Sequence, residues 1–238
     1  MDTMHQPETK VLSVSDGVWA LDQQMVRSFL IVGEKRALLL DTGAMPCPMD
    51  EMIREITDLP LIVVHSHTDG DHTANDRLFP QICMHAAEEQ HMREKPDGVE
   101  YFPICEGMFF DLGGRKLRVI EIPGHTPGSI ALLDEDFRIL FSGDTVSYGP
   151  VFLFGQGRDI QAYRQSLKKL KDLDGYDTVY PCHNTCPVDR GVIDELLSAV
   201  DGALDGSIAP TKADMPMPPD AGEVSVYSYG RSGILYNP

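Results

Sequence analysis

Leu61-Ile-Val-Val-His-Ser-His-Thr-Asp-Gly-Asp-His72 is the stretch on which the reading of this chain turns: an apolar run breaks into three histidines and two aspartates within eight positions. The apolar part has the length and branching of a buried strand. The polar part alternates imidazole and carboxylate at short spacing, which suits a zinc, manganese or iron centre, because several short side chains must converge within about 2.0–2.2 Å of one ion. A solvated polar turn would have the same composition. Further candidate ligands downstream decide against it.

Upstream, Lys10 to Val14, Gly17 to Leu21, Met25 to Val32 and Arg36 to Leu40 read as a meander of strands separated by Asp-Gly and Gly-Glu-Lys turns. The fourth run stops at Asp41-Thr-Gly43, which reads equally as a turn or as a carboxylate that orients a metal-binding histidine. Met49 to Asp58 sets Met52, Ile53 and Ile56 at helical spacing ahead of the strand Leu61 to Val64.

Downstream, we expect a short helix over Thr73 to Leu78, a strand over Gln81 to Met84 and a helix over Ala86 to Glu94. His85 and His91 have no ligand-like neighbours in sequence and read as ordinary histidines. Lys95 to Gly107, with its prolines and glycines, reads as a connecting loop. Arg115 to Ile122 is a strand running into Pro123-Gly-His-Thr-Pro-Gly-Ser129, and the strand Arg138 to Phe141 runs into Ser142-Gly-Asp-Thr145. Asp159 to Leu173 is an amphipathic helix, Thr178 to Tyr180 a strand delivering Pro181-Cys-His-Asn184, and Val188 to Val200 a second helix. The proline-rich tail Ala209 to Gly222 reads as a loop, followed by strands over Glu223 to Tyr229 and Gly233 to Tyr236.

Four apolar strands thus end in candidate ligands: the loop from His65 to His72, then His125, Asp144 and His183. A sheet edge holds side chains more accurately than a free loop does. Three or more histidines with shared carboxylates suit a dinuclear hydrolytic centre, where water bound between two ions loses a proton near neutral pH and attacks the substrate.

Composition narrows the field. The 238 residues, 42% of them hydrophobic, suffice for one large domain, read as two αβ halves of about 1–114 and 115–238. No apolar run approaches the roughly 18 residues of a membrane span, and Met1 to Pro7 has no signal-peptide character, so a cytoplasmic protein is expected. Five scattered cysteines form no disulfide framework; a thiolate site at Cys182 and Cys186 lacks a second pair, so ordinary thiols are expected. A formal charge of −17 disfavours nucleic acid as a partner and favours a small-molecule substrate. Oligomeric state is left open, a homodimer included.

The ordered set Ser66-His-Thr-Asp-Gly-Asp-His72, Pro123-Gly-His-Thr-Pro-Gly128, Ser142-Gly-Asp-Thr145 and Pro181-Cys-His183 resembles the metallo-β-lactamase superfamily, over residues 15 to 200 or so. Asp41-Thr-Gly43 also stands where that family carries Asp-Thr-Gly. The resemblance implies a four-layer αββα sandwich with two mixed sheets and outer helices. It implies His67, Asp69 and His125 on one ion and Asp71, His72 and His183 on the other, with Asp144 shared and Asp71 orienting the nucleophile. One position departs from the pattern. With Asp71-His72 fixing the register, Asp69 stands where the family has its second histidine. The competing register pairs His65 with His67 and puts Gly70 in the place of the last histidine; Ser66 before His67 and Thr73-Ala-Asn75 after His72 favour the first.

Two divalent ions carry +4, and three carboxylates with one hydroxide carry −4, so the core is formally neutral where a histidine at 69 would leave +1. Zinc is the expected metal. The additional carboxylate suits manganese or iron better than imidazole does. The resemblance to the glyoxalase-like branch of the family implies hydrolysis of a small thioester, lactone or other ester. That branch's helical domain for a thiol cofactor has no counterpart here, so a glutathione thioester is not implied. A phosphodiesterase, or a single-iron sulfur dioxygenase using His67, His125 and Asp144, are the alternatives within the superfamily. Tyr148 and Arg158 are the candidate substrate contacts, Tyr148 toward the leaving group or oxyanion and Arg158 toward a substrate carboxylate. A packed aromatic and a helix-opening residue are their plainer readings.

Overall fold

A computed structural model describes residues 9–215 and 222–237. The chain divides into two units, the first ending at Leu117 and the second beginning at Arg118. The expectations for Met1 to Pro7, and for residues 216–221 of the tail, lie outside the described residues.

In the first unit, β1 (Lys10–Ser15), β2 (Val18–Asp22), β3 (Arg27–Val32) and β4 (Ala37–Leu40) form the expected meander. The helix α1 (Met49–Arg54) returns the chain to β5 (Leu61–Val64), after which come β6 (Gln81–His85), β7 (Glu100–Ile104) and β8 (Phe109–Asp111). One sheet holds β1 to β7 in chain order, antiparallel up to β4 and parallel from β4 to β7. All four residues of β4 are buried, as an inner parallel strand covered on both faces requires. On one face Met49 and Ile53 of α1 pack with Leu39, Val63, Phe79 and Ile82. Leu40 pairs with Val64, so β4 and β5 end level and deliver Asp41 and His65 side by side. Ligand sites form at such carboxyl ends of parallel strands.

Three expectations for this unit need correction. The segment from Thr73 to Leu78 is helical only over a 3₁₀ turn, Asp76–Leu78. Ala86 to Glu94 is no α-helix: a 3₁₀ turn covers Ala86–Gln90, started by the His85 ring, which accepts from Ala87 N at 3.2 Å. The supposed loop Lys95 to Gly107 contains β7, the outermost strand of the sheet. Pro103 hides it from a sequence reading, yet an edge strand tolerates a residue without an amide hydrogen.

The second unit contains β9 (Lys116–Glu121), in which the division falls, then β10 (Ile130–Asp134), β11 (Ile139–Gly143) and β12 (Gly149–Leu153). The helix α2 (Ile160–Asp172), β13 (Thr178–Pro181), β14 (Val188–Asp189) and α3 (Val192–Asp205) follow, and β15 (Thr211–Lys212), β16 (Ser225–Tyr229) and β17 (Ser232–Tyr236) close the chain. The strands β14-β13-β11-β10-β9 lie in that order in one sheet, and β12-β17-β16-β15 form another. The helix α2 is capped by Asp159, whose carboxylate accepts from Gln161 N at 2.8 Å and Ala162 N at 3.0 Å. Tyr163, Leu167 and Leu170 on its inner face are fully buried against Ile120, Leu133 and Leu140. Each such leucine contributes about 1.5–3 kcal/mol relative to exposure.

The second helix begins later than its apolar pattern suggests. Val188 and Asp189 pair with Val179 and Thr178 as β14, and the Asp189 carboxylate accepts from Gly191 N at 2.9 Å, a turn that postpones α3 to Val192. Within the tail, Thr211 and Lys212 form β15 against β16 rather than a loop.

Candidate metal centre

In the first unit the centre is built on Asp41. It is fully buried, with φ of 65°, and its amide donates to Val64 O at 2.9 Å, which holds the turn at the end of β4. Oδ1 accepts from Ser66 N at 2.7 Å; Oδ2 accepts from Ser66 Oγ at 2.7 Å and faces His72 Nδ1 at 2.9 Å. Burial alone would push this carboxyl up, but His72, His65 and His67 together hold it well below the usual carboxylate range. Ser66 Oγ also meets His67 Nδ1 at 3.0 Å. The Nδ1 atoms of both His67 and His72 are therefore engaged, so Nε2 is the atom each ring could offer to an ion. The two rings lie with centroids 4.1 Å apart.

His65 lies deeper and faces other partners. Its Nδ1 is 3.7 Å from Asp41 Oδ1, and its Nε2 is 3.0 Å from Asp76 Oδ1. Asp76 also accepts from Thr42 Oγ1 at 2.6 Å and Tyr101 Oη at 3.0 Å. Burial pulls the His65 pKa down, but Asp76 and Asp41 beside the ring carry it up to about 9.

Asp69 Oδ2 stands 3.6 Å from His67 Nε2, and Asp71 Oδ2 3.8 Å from His72 Nε2. The Asp71 side chain is 43% exposed, open to water. Asp69 has a second neighbour that sequence reasoning missed: His91 Nε2 lies 3.0 Å from its Oδ1. The same 3₁₀ turn supplies Glu88, fully buried, which accepts from Thr68 N at 2.7 Å and Thr68 Oγ1 at 2.9 Å. His91 is not the ordinary histidine expected. Nothing local in the sequence signals its contact, which spans 22 residues.

In the second unit the parallel pair β11 and β13 pairs Phe141 with Tyr180, and Cys182 N donates to Gly143 O at 3.0 Å. Asp144 and His183 thus leave adjacent strands together, with His183 Nε2 3.2 Å and His125 Nε2 3.7 Å from Asp144 Oδ2. His125 Nδ1 donates to Phe152 O in β12 at 2.9 Å, again presenting Nε2. Gly124, with φ of 134°, lies so near α2 that a Cβ there would come within 2.3 Å of the Tyr163 backbone. The Tyr163 hydroxyl donates to Thr145 O at 2.7 Å, so one buried residue braces the loops of His125 and Asp144.

Two ligand atoms each about 2.1 Å from a tetrahedral ion lie about 3.4 Å apart. The separations within each unit, 3.6 and 3.8 Å in the first and 3.2 and 3.7 Å in the second, fit that requirement. Imidazole with carboxylate is a donor set for zinc, manganese or iron.

The Tyr148 hydroxyl donates to Asp189, and Arg231 covers its ring at 3.9 Å from the centroid. Arg158 is half-buried just before α2, its amide 3.5 Å from Gly155 O. None of the five cysteines is in a disulfide.

The family model described as the metallo-beta-lactamase superfamily matches residues 21–183. Acyl-coenzyme A thioesterase MBLAC2 of Gallus gallus is 26% identical over 207 residues, covering 71% of this chain and 70% of its own length. Hydroxyacylglutathione hydrolase of Francisella tularensis subsp. novicida is 27% identical over 172 residues, covering 70% of this chain and 66% of its own. Among solved structures, a metallo-beta-lactamase from Pontibacter korlensis superposes with a TM-score of 0.66 at 19% identity, covering 82% of this chain and 99% of that one. That likeness shows the fold, the αββα class expected from the sequence. The family match extends over well more than half of the chain and takes in the loop at 65–72 as well as His125, Asp144 and His183, so this protein belongs to the metallo-beta-lactamase superfamily and is an enzyme of its metal-dependent hydrolase kind.

Proposed function

We propose that this protein hydrolyses a small thioester, lactone or related ester at a centre of two divalent ions, zinc by preference and manganese or iron where Asp69 favours a harder ion. The residues that would hold them are His67, Asp69 and His125 for one and Asp71, His72 and His183 for the other, with Asp144 shared. The observation that supports the reading is the tying of Nδ1 of His67, His72 and His125 by Ser66, Asp41 and Phe152 O, an arrangement that suits ligation through Nε2. The similarity to a thioesterase and a hydroxyacylglutathione hydrolase supports the thioester as substrate class.

When bound, two such ions supply Lewis acidity toward an acyl oxygen and lower the pKa of water to near neutrality. The chain's own part is positioning. Asp71, the most open of the carboxylates, orients the attacking water and takes up its proton, and Asp41 keeps His72 in one tautomer and one orientation. Arg158, ahead of α2, offers a cation to an anionic substrate group.

The test is a panel of acyl thioesters, lactones and phosphodiesters assayed on protein loaded with zinc, manganese or iron(II). Thioester or lactone turnover at least 100-fold above phosphodiester turnover supports the reading. Phosphodiester turnover above both overturns it.

A further inference from the structure

The position where the family carries its second histidine holds Asp69, and the imidazole missing from position 69 reappears behind it. His91 Nε2 meets Asp69 Oδ1 at 3.0 Å while Asp69 Oδ2 faces His67 Nε2 at 3.6 Å. The two oxygens of one carboxylate are thereby given different tasks. A carboxylate on its own can swing to bind an ion through either oxygen or both. With Oδ1 accepting from an imidazole N–H, only Oδ2 remains turned toward the neighbouring ligand.

The support for this contact is itself built in. His91 follows directly on the 3₁₀ turn Ala86–Gln90, and its amide donates to Glu88 O at 3.0 Å. Glu88, fully buried, accepts from both the amide and the hydroxyl of Thr68. A buried carboxylate is retained only where its hydrogen bonds repay desolvation, and here they join the turn to the residue immediately before Asp69. His91 itself is largely covered, at 14% side-chain exposure. A surface histidine meeting an aspartate by chance would have neither the burial nor the second anchor.

We propose that His91 is a positioning residue for Asp69, fixing it as a one-oxygen ligand. It acts through the carboxylate, in the way that carboxylates elsewhere act through metal-bound histidines. The inference rests on the reading of Asp69 as a ligand.

The experiment uses the full chain and reads zinc and manganese per protein molecule after dialysis against a graded chelator, together with the melting temperature of the metal-free form. His91→Ala is expected to weaken one ion of the two by about 10–100-fold, with little change in the metal-free melting temperature. His91→Gln, which retains an N–H donor, is expected to recover most of that loss. In an Asp69→His background, where the ligand needs no carboxylate to orient, His91→Ala should leave both ions as tightly held as in the Asp69→His parent. Wild-type affinity in His91→Ala alongside loss of an ion in Asp69→Ala overturns the role of His91 and leaves Asp69 a ligand. Two ions retained at full affinity in Asp69→Ala overturn both. Equal weakening by His91→Ala in the native and Asp69→His backgrounds also overturns the proposal, because it would mean that His91 acts on the fold rather than through Asp69.

Discussion

Asp41 Oδ2 lies 2.9 Å from Nδ1 of His72, a contact spanning 31 residues that joins the end of one parallel strand to the last histidine of the candidate ligand loop. The other oxygen holds the amide of Ser66, so one carboxylate sets both the backbone of that loop and the tautomer of its histidine. Asp41→Ala removes both. The expected outcome is weakening of one bound ion by about 10–100-fold, read by chelator competition. Metal affinity equal to wild type would show that His72 needs no such orientation.

His65 lies between two buried carboxylates, and its removal leaves Asp41 and Asp76 without the imidazole between them. We expect His65→Leu to destabilise the fold by about 3–5 kcal/mol, the usual cost of leaving a buried charge uncompensated. Urea unfolding of the metal-free protein measures it. A loss below about 1 kcal/mol would mean that Thr42 and Tyr101 suffice to hold Asp76.

Two glycines near the candidate ligands should behave differently. A Cβ at Gly124 would meet the Tyr163 backbone at 2.3 Å, with φ of 134°, whereas one at Gly70 would meet nothing within 4 Å. Gly124→Ala is expected to cost at least about 1–3 kcal/mol and to displace His125 with it. Gly70→Ala should stay within about 0.5 kcal/mol, although it lies inside the ligand loop. Thermal unfolding of the two variants side by side decides, and equal losses would reject the packing argument.

Tyr163 offers a finer probe of the same brace. Tyr163→Phe deletes the hydroxyl that donates to Thr145 O and leaves that carbonyl buried without this donor. A loss of about 1–3 kcal/mol is expected. A variant as stable as the parent would show that the carbonyl is satisfied in another way.

Asp71 should separate chemistry from folding. Its carboxylate is partly exposed, so Asp71→Asn is expected to keep the melting temperature of the metal-free protein while ester turnover falls by at least about 100-fold. Turnover within threefold of wild type would remove Asp71 from its proposed role.

By itself the sequence determined which strands deliver the candidate ligands, though not β12, whose Phe152 O holds His125. An apolar run of four residues ending in a polar residue is a local signal, and Leu61–Val64, Ile139–Gly143 and Thr178–Pro181 lie close to where periodicity put them. The order of motifs along the chain was equally legible, because it depends on no contact. Tertiary structure alone decided which polar group holds which. His91 and Glu88 read as unremarkable residues of a helix that does not form, and became partners of Asp69 and Thr68 because β6 runs parallel beside β5 and brings the following turn against the ligand loop. The edge strand β7 was invisible behind Pro103, yet its Tyr101 hydroxyl reaches Asp76. His65 lies within the most informative stretch of the chain, and its place between Asp41 and Asp76 follows only from the level ending of two parallel strands and the burial that makes an unpaired carboxylate costly.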